Sequence, residues 1–310
     1  MAQAIGIIGG GTMGADIAAS FAARGWIAHI ANPRDAMRAT LPDRLASAMS
    51  KLAVKKPNAG HDALSFVMHD DAATLPWADI AIVIEAIPER LALKHALFAR
   101  LEGMARPDTP LCSNSSALPI GEIGAGLATQ HRMVGTHYFM PAHLVPAVEV
   151  VCSRFTDLRV ADRVSEILRS VGKVPVRVKL DIPGFIANRM QHALSREALK
   201  LIERGIATPE DIDNAVRFGF GFRYIAAGPL LQRDHAGLDI HNAAGSTIYP
   251  DLCNDAVTSP AMADLVQAGH IGMKAGRGFY EWTDEAIARE KARYEAALTG
   301  AMEIIRRETR

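Results

Sequence analysis

The sequence predicts an α/β protein, in which a doubly wound β-sheet in residues 1–180 is followed by an all-α C-terminal domain in residues 181–310. Three observations lead to this prediction. Short apolar runs alternate with helix-forming segments in the first part of the chain, as they do in doubly wound sheets. A glycine-rich turn joins the first apolar run to the first helical segment. Beyond Asp181 the helical segments follow one another without a further valine-rich strand, which indicates a helical domain.

The chain opens with a β-α-β unit. Residues 4–8 form a short apolar run, residues 9–14 a glycine-rich turn, and residues 15–24 an alanine-rich segment of high helix propensity. A second apolar run over residues 26–31 ends before Asn32, and the Pro-Arg-Asp sequence that follows predicts the start of a long helix toward residue 54.

The next elements continue the alternation. Residues 80–84 are apolar without interruption, which is typical of a strand buried on both faces. Residues 55–62 are polar and contain proline and glycine, which indicates a loop. Further strands are predicted at residues 111–113, 133–139, 148–151 and 174–178, and helices at residues 87–101, at residues 185–204 and from Thr208-Pro209 onward.

Charge and composition argue against several classes of function. The 34 basic and 34 acidic residues balance, so the chain has no basic excess with which to neutralise nucleic-acid phosphates or an anionic membrane surface. The three cysteines lack paired spacing to one another or to histidines, so we expect neither disulfides nor a metal site. Free cysteines also predict a cytoplasmic location, because the cytosol is reducing. The start of the chain has no basic region before its apolar run, and we expect it to be neither a signal peptide nor a membrane span.

The glycine-rich turn has the G-x-G-x-x-G spacing of a dinucleotide-binding motif. Gly9 would allow the tight turn, Gly11 the approach of a pyrophosphate to the backbone, and Gly14 close packing of helix and strand. Thr12 and Met13 open the helix, whose positive end would face the phosphates. Glycines also cluster in plain turns, but the position between strand and helix favours a Rossmann-type cofactor site.

The residue at the end of the second strand bears on the choice of cofactor. An acid that binds the adenosine ribose is usual at this position, and the sequence has Asn32. Asn32 can bind a hydroxyl group but does not repel a 2′-phosphate, and Arg34 could pair with one. The alternative is that Arg34 is merely a solvated residue at a helix start. The sequence predicts NAD, with NADP not excluded.

Two residues in the following segments predict the chemistry. His137 stands at the end of a predicted strand, and Glu149 lies twelve residues later in another. A connection containing Pro141 and Pro146 would allow the two side chains to meet. A histidine whose Nδ1–H is held by a carboxylate keeps Nε2 free to accept a proton, as a dehydrogenase needs when an alcohol becomes a ketone.

With these motifs the chain resembles the 3-hydroxyacyl-CoA dehydrogenase family, from about Ile5 to Trp282. The order and spacing of seven motifs carry the resemblance, since any one of them would be ordinary alone. They are residues 9–14, residues 84–89 with Lys94, residues 113–116, His137 with Glu149, residues 181–189, residues 228–229 with 237–239, and residues 274–280.

The resemblance implies a role for each matching position. His137 would be the general base and Glu149 its orienting carboxylate, while Ser116 and Asn188 would bind the substrate oxygen. Glu89, Lys94 and Asn114 would line the cofactor. It further implies a Rossmann-type NAD-binding domain in residues 1–180, a helical substrate and dimerisation domain in residues 181–310, and a place in fatty acid metabolism. The apolar helix faces of the second domain predict a homodimer. On the alternative interpretation, Ser116 only caps a helix and Asn188 is only a polar residue in a helix start.

One position departs from the family pattern and bears on the substrate. Met140 stands where the family has asparagine, and a thioether cannot replace the donor and acceptor of an amide. Residues 141–146 look more like the short members that act on small acids, such as L-gulonate 3-dehydrogenase, L-carnitine dehydrogenase and a pyridine-carboxylate dehydrogenase. We expect a 3-hydroxyacyl-CoA substrate, with a small free acid or aldehyde as the alternative, or else a non-catalytic, crystallin-like relative.

Overall fold

The first part of the chain folds around a single β-sheet. The computed structural model describes residues 3–52 and 65–308, and within these residues eight strands form the sheet in the order β3-β2-β1-β4-β5-β6-β7-β8. The strands are β1 Ala4–Ile8, β2 Ile27–Ala31, β3 Phe66–His69, β4 Ile80–Glu85, β5 Leu111–Ser113, β6 Met133–Tyr138, β7 Ala147–Val151 and β8 Val174–Val178.

Strand direction places one edge of the sheet in position to bind a ligand. The strands β3, β2, β1, β4, β5 and β6 pair in parallel, and the chain order reverses between β1 and β4. Ligands of such sheets bind beyond the carboxyl ends of the strands at this reversal. Strand β7 runs antiparallel to β6, and β8 is parallel to β7. The predicted doubly wound α/β fold is confirmed.

Helices flank the sheet and then make up most of the remaining described chain. The predicted loop at residues 55–62 lies outside the described residues, and the helix expected toward residue 54 already ends at Ser50. The helices are α1 Thr12–Ala22, α2 Asp35–Ser50, α3 Leu91–Glu102, α4 Ile120–Ile123, α5 Leu158–Ser170, α6 Ala187–Glu203, α7 Pro209–Asn214, α8 Pro229–Ala236, α9 Leu238–Ile248, α10 Pro260–Gln267 and α11 Asp284–Glu308.

The first strand contributes to a hydrophobic cluster on each face of the sheet. Ile5 and Ile7 pack in the cluster that contains residues of α1, α2 and α5. Ala4 and Ile8 pack in the other cluster, with residues of α3. Alternate residues of a strand point to opposite faces, so an apolar run without interruption is what a strand covered on both sides requires.

The chain separates into two compact units, Met1–Arg189 and Met190–Arg310. This division falls a few residues beyond Asp181, where the sequence suggests a boundary. Residues just after the predicted boundary bond to the sheet unit: Gly121 N–H donates to Asp181 Oδ2 at 2.6 Å, and Ile186 N–H donates to Glu149 Oε1 at 2.9 Å. Among the described residues, no helix combines the length and apolar character needed to cross a membrane.

Candidate active site

The predicted catalytic pair faces across two neighbouring strands. His137 on β6 and Glu149 on β7 are direct partners in the antiparallel register. Both are buried, and His137 Nδ1 lies 2.7 Å from Glu149 Oε2. The carboxylate can only accept, so Nδ1 carries the hydrogen and Nε2 is left as the proton acceptor in the neutral ring.

The carboxylate of Glu149 is held at both of its oxygens. Its Oε1 accepts hydrogen bonds from the backbone N–H groups of Ile186 and Ala187, each at 2.9 Å. Burial opposes ionisation of Glu149, but these bonds and the one from His137 outweigh burial and hold its pKa below the ordinary value. Glu149 is therefore a fixed negative charge beside the imidazole.

The loop that carries Ser116 is shaped by the carboxylate of Glu89. Glu89 Oε1 accepts from the hydroxyl of Ser115 at 2.6 Å and from the N–H groups of Ser116 and Ala117 at 2.9 and 3.1 Å. Asn188 Nδ2 donates to the Ser116 carbonyl at 3.1 Å. The structure thus brings Ser116 and Asn188 together, with Ser116 exposed to solvent.

Lys94 anchors a buried network at the ends of β4 and β5. Its Nζ donates to Glu85 Oε1 at 2.6 Å and lies 3.3 Å from Glu89 Oε2, and its side chain is 1% exposed. Ser113 donates to the other oxygen of Glu85 at 2.6 Å. Burial raises the pKa of Glu85 despite Lys94, whereas for Glu89 the hydrogen bond from Ser115 and the Lys94 charge outweigh burial and lower the pKa. The position of Lys94 makes it a support for both carboxylates.

Sequence reasoning missed Glu85 and identified Asn114, which connects this network to strand β6, the strand that carries His137. Asn114 Oδ1 accepts from the Tyr138 N–H at 2.9 Å, and the Asn114 N–H donates to the Glu85 carbonyl at 2.8 Å. Among the described residues, Asn114 Nδ2 has no protein partner. Glu85 could have been identified from the sequence, because it is an acidic residue at the end of an otherwise apolar strand.

The glycine-rich turn has the geometry that a dinucleotide requires. Gly9 has a φ of 112°, and a Cβ there would lie 2.6 Å from the Ala86 carbonyl oxygen. A Cβ at Gly14 would lie 1.8 Å from the Gly9 carbonyl oxygen, so helix and turn touch. At Gly11 a Cβ would meet nothing within 4 Å. The turn is closed on the protein side and open toward the N-terminus of α1, which fits a pyrophosphate.

The two residues that open α1 differ in their surroundings. Met13 is partly buried against the core, and Thr12 is exposed. Thr12 Oγ1 accepts from Arg44 Nη2 at 2.9 Å. The contact of Arg44 with the glycine-rich turn could not be predicted from the local sequence. Arg44 lies in the middle of α2 and comes close to Thr12 only in the folded chain.

Asn32 is buried at the end of β2 and is engaged locally. Its Oδ1 accepts from the Arg34 N–H at 3.0 Å, and its carbonyl accepts from the Arg38 guanidinium. Arg38 also pairs with Asp35. The exposed side chain of Arg34 stays the candidate partner for a 2′-phosphate.

Comparisons with known proteins identify the family. The sequence model of the 3-hydroxyacyl-CoA dehydrogenase NAD-binding domain matches residues 4–182, and the model of the C-terminal domain of the same family matches residues 184–282. The chain belongs to the 3-hydroxyacyl-CoA dehydrogenase family. It is an NAD-dependent dehydrogenase that acts on a CH–OH group.

Relatives within this family differ in substrate. The 5-formyl-3-hydroxy-2-methylpyridine 4-carboxylate 5-dehydrogenase of Mesorhizobium japonicum is 34% identical over 98% of this chain and 99% of its own length. The mitochondrial hydroxyacyl-coenzyme A dehydrogenase of Sus scrofa is 34% identical over 89% of this chain and 90% of its own length.

Solved structures of related enzymes show the same division. A 5-formyl-3-hydroxy-2-methylpyridine 4-carboxylic acid 5-dehydrogenase, described as an NAD⁺-dependent dismutase, superimposes with a TM-score of 0.92 at 32% identity, over 99% of each chain. The 3-hydroxybutyryl-CoA dehydrogenase of Escherichia coli superimposes with a TM-score of 0.73 at 32% identity, over 91% of this chain and 60% of that chain.

Proposed function

We propose that the protein oxidises a hydroxyl group with His137 as general base and Glu149 as the carboxylate that orients it. The observation that carries this proposal is the 2.7 Å contact between His137 Nδ1 and Glu149 Oε2, made by two buried side chains. A buried negative charge beside the ring stabilises the imidazolium that forms when Nε2 accepts the hydroxyl proton. A non-catalytic relative would have no need to keep such a pair.

The remaining predicted residues serve the oxygen that loses this proton. NAD, when bound, accepts the hydride that leaves the substrate carbon. The Ser116 hydroxyl would donate to the substrate oxygen as negative charge develops there, and Asn188 donates a hydrogen bond to the Ser116 carbonyl. Glu89 fixes the loop that carries Ser116, and the hydrogen bond from Ser115 together with the Lys94 charge lowers the pKa of Glu89.

We infer that the substrate is a small free acid carrying a hydroxyl or a formyl group. The similarity to the pyridine-carboxylate dehydrogenase, which extends over both whole chains, favours this class. A hydrated formyl group carries the same CH–OH unit, so the same base and hydride transfer would convert it to a carboxylate. The 3-hydroxyacyl-CoA thioester, with the fatty acid metabolism that it implies, is the second candidate, and it is supported by the family match.

A substrate panel with one variant tests both steps of the proposal. Initial rates with NAD are measured on short 3-hydroxyacyl-CoA thioesters, free 3-hydroxy acids and aromatic formyl carboxylates. His137→Gln should lower turnover of the accepted substrate by about 10²- to 10⁴-fold, because the general base is lost, while the Kd of NADH stays nearly unchanged. Near-normal turnover by His137→Gln would end the mechanism, and turnover of CoA thioesters alone would reject the small acid.

We further propose that the protein is a homodimer built through its helical unit. Of the residues in α6 to α10, only Gly245 is buried in the single chain. Large apolar side chains on α8 and α9 are exposed, including Leu230, Leu231, Leu238 and Ile240. Apolar faces of this extent normally pack against a partner, and a second copy is the simplest one.

Mass measurement in solution tests the dimer. Light scattering after size-exclusion chromatography should give twice the chain mass for the wild type and a lower mass for Leu238→Glu, since a buried charge opposes association. Ala36→Glu, on the exposed face of α2, is the matched control and should leave the mass unchanged. A single-chain mass for the wild type at micromolar concentration would reject the dimer.

We also infer a cytoplasmic location. Cys112, Cys152 and Cys253 are free thiols, and burial raises the pKa of Cys112 far above the ordinary value. Free thiols suit a reducing compartment. Fractionation of cells that produce the protein tests this inference, and recovery from a secreted or membrane fraction would contradict it.

A further inference from the structure

A buried cluster of polar and charged side chains lies outside the catalytic steps described above. It consists of Asp16 on α1, His143 in the connection between β6 and β7, and Lys173 just before β8. These residues are 9%, 7% and 6% exposed. Charged side chains are rarely buried to this extent unless each has a partner, because removing a charge from water is costly. Neither the general base nor the glycine turn accounts for them.

The cluster holds Ala142 from two sides. The Ala142 N–H donates to Asp16 Oδ2 at 3.0 Å, and the Ala142 carbonyl accepts from Lys173 Nζ at 2.6 Å. Lys173 Nζ also donates to the Val145 carbonyl at 2.9 Å and lies 3.4 Å from the carbonyl of His143. His143 Nδ1 stands 2.9 Å from the same Asp16 oxygen.

Backbone hydrogen bonds hold the rest of the connection, both within it and from Val174 of β8. The N–H groups of Leu144 and Val145 both donate to the Pro141 carbonyl at 3.0 Å, and the Val174 N–H donates to the Pro146 carbonyl at 2.9 Å. Buried backbone groups need hydrogen-bond partners. Asp16 and Lys173 supply partners for the backbone groups of the connection that its own backbone does not bond. Asp16 and Lys173 therefore decide where the connection lies.

The hydrogen bond between Asp16 and Ala142 joins two segments that bear on function. Asp16 is four residues after Thr12, so both lie on one face of α1, the helix that begins at the cofactor turn. The connection contains Met140, three residues beyond His137. Burial lowers the pKa of Lys173 to about 8, the Asp16 charge opposes this shift, and Arg24 adds to it. Asp16 thus supports the ammonium form that holds the carbonyls.

We propose that Asp16 and Lys173 are positioning residues that couple NAD binding at the glycine turn to the conformation of residues 140–146 beside the catalytic histidine. The proposal rests on the NAD-binding role of the turn and is independent of the substrate. A cofactor that fixes the first turns of α1 also fixes the Asp16 carboxylate, and hence the Ala142 N–H. By linkage, loosening the connection must weaken cofactor binding.

Hydrogen exchange of the apoprotein and of the NADH complex tests the coupling without any substrate. In the wild type, NADH should slow exchange in a peptide that covers residues 140–146. In Asp16→Ala the peptide should exchange fast with and without NADH, and the Kd of NADH should rise several-fold. Asp16→Asn keeps an oxygen for the Ala142 N–H and should retain part of the protection. Asp43→Asn, at an exposed position of α2, is the control.

The outcomes separate positioning from plain stability. A merely structural role would lower the melting temperature and speed exchange across the sheet, but would leave the NADH-dependent difference at residues 140–146 intact. The same NADH-dependent slowing in the wild type and in both Asp16 variants would overturn the proposal. Should Asp16→Ala fail to fold, Asp16→Asn decides by the same criterion. Absence of turnover on every substrate would overturn the proposed function and leave this result standing.

Discussion

Replacing Gly11 by alanine should weaken NADH binding without unfolding the protein. Gly11 has φ −71° and ψ −167°, a conformation open to every residue, and an added Cβ meets no atom within 4 Å. Reduced freedom of the unfolded chain should add about 0.4–1 kcal/mol to stability, and alanine at an N-cap should remove about 0.5–1 kcal/mol. The free energy of unfolding should therefore change little.

The effect should appear in the cofactor complex. If a pyrophosphate approaches the Gly11 backbone, the new methyl group occupies that space at a cost of about 1–3 kcal/mol, which raises the Kd of NADH by about 5- to 150-fold. NADH fluorescence titration measures the Kd, and thermal unfolding without cofactor measures stability. An unchanged Kd for a fully folded Gly11→Ala protein would refute the placement of the phosphates at this turn.

Gly14 provides the matched control at the same turn. An alanine Cβ there would lie 1.8 Å from the Gly9 carbonyl oxygen, so the backbone of α1 or of the turn must move. We expect Gly14→Ala to destabilise the apoprotein by about 1–3 kcal/mol or more, which lowers the melting temperature by about 2–4 °C for each kcal/mol. A wild-type melting temperature for Gly14→Ala would show that the close packing is not real.

Three further predictions concern the site. Glu149→Gln should lower kcat with little change in the Kd of NADH. The variant should also have a lower free energy of unfolding than the wild type at neutral pH, and this difference should disappear in acid. The folded pKa of Glu149 lies below 4.5, so the stabilisation by its carboxylate is complete above pH 4.5 and is lost as the pH falls through the folded pKa; a difference independent of pH would contradict this. Asn32→Asp should raise the Kd of NADPH more than that of NADH, because a carboxylate repels a 2′-phosphate; tighter NADPH binding by the unmodified protein would reverse the predicted NAD preference. Met140→Asn should raise kcat/KM on short acyl-CoA and lower it on a non-CoA substrate that packs on the thioether; unchanged kinetics on every compound would place Met140 outside the site.

Local pattern was sufficient for seven of the eight described strands and for the glycine-rich turn, whereas strand β3 and helix α5 were not predicted. The apolar runs at residues 4–8 and 80–84 become β1 and β4, because strands covered on both faces need apolar side chains at every position. The predicted helix at residues 87–101 begins only at Leu91. The reason is the turn before it, where the Ala86 N–H bonds the Ile8 carbonyl and the Ile87 N–H bonds Glu85 Oε1 at 2.7 Å.

Contacts between distant segments could not be predicted from local pattern. Asp16 reads as an interior residue of an alanine-rich helix, and its partner Ala142 is an ordinary loop residue 126 positions away. Asn32 was expected to face the ribose, yet its Oδ1 is engaged by the Arg34 N–H. Such contacts depend on where the sheet brings separate loops together, which the periodicity of a single segment does not contain.

The antiparallel direction of β7 could have been predicted from the sequence, and it explains why the geometry of the proposed catalytic pair is so well defined. Only residues 139–146 join β6 to β7, and a parallel pairing would need a crossover of about a dozen residues or more. The strands must therefore run antiparallel, which places the start of β7 beside the end of β6 at the ligand-binding edge. His137 and Glu149 then become direct partners in a backbone ladder. Strand pairing fixes the separation of the two side chains, and the short connection that allows this pairing is held by Asp16 and Lys173. The segment that sets the register of the proposed catalytic pair is therefore also the segment that is hydrogen-bonded to α1, the helix that begins at the glycine-rich turn.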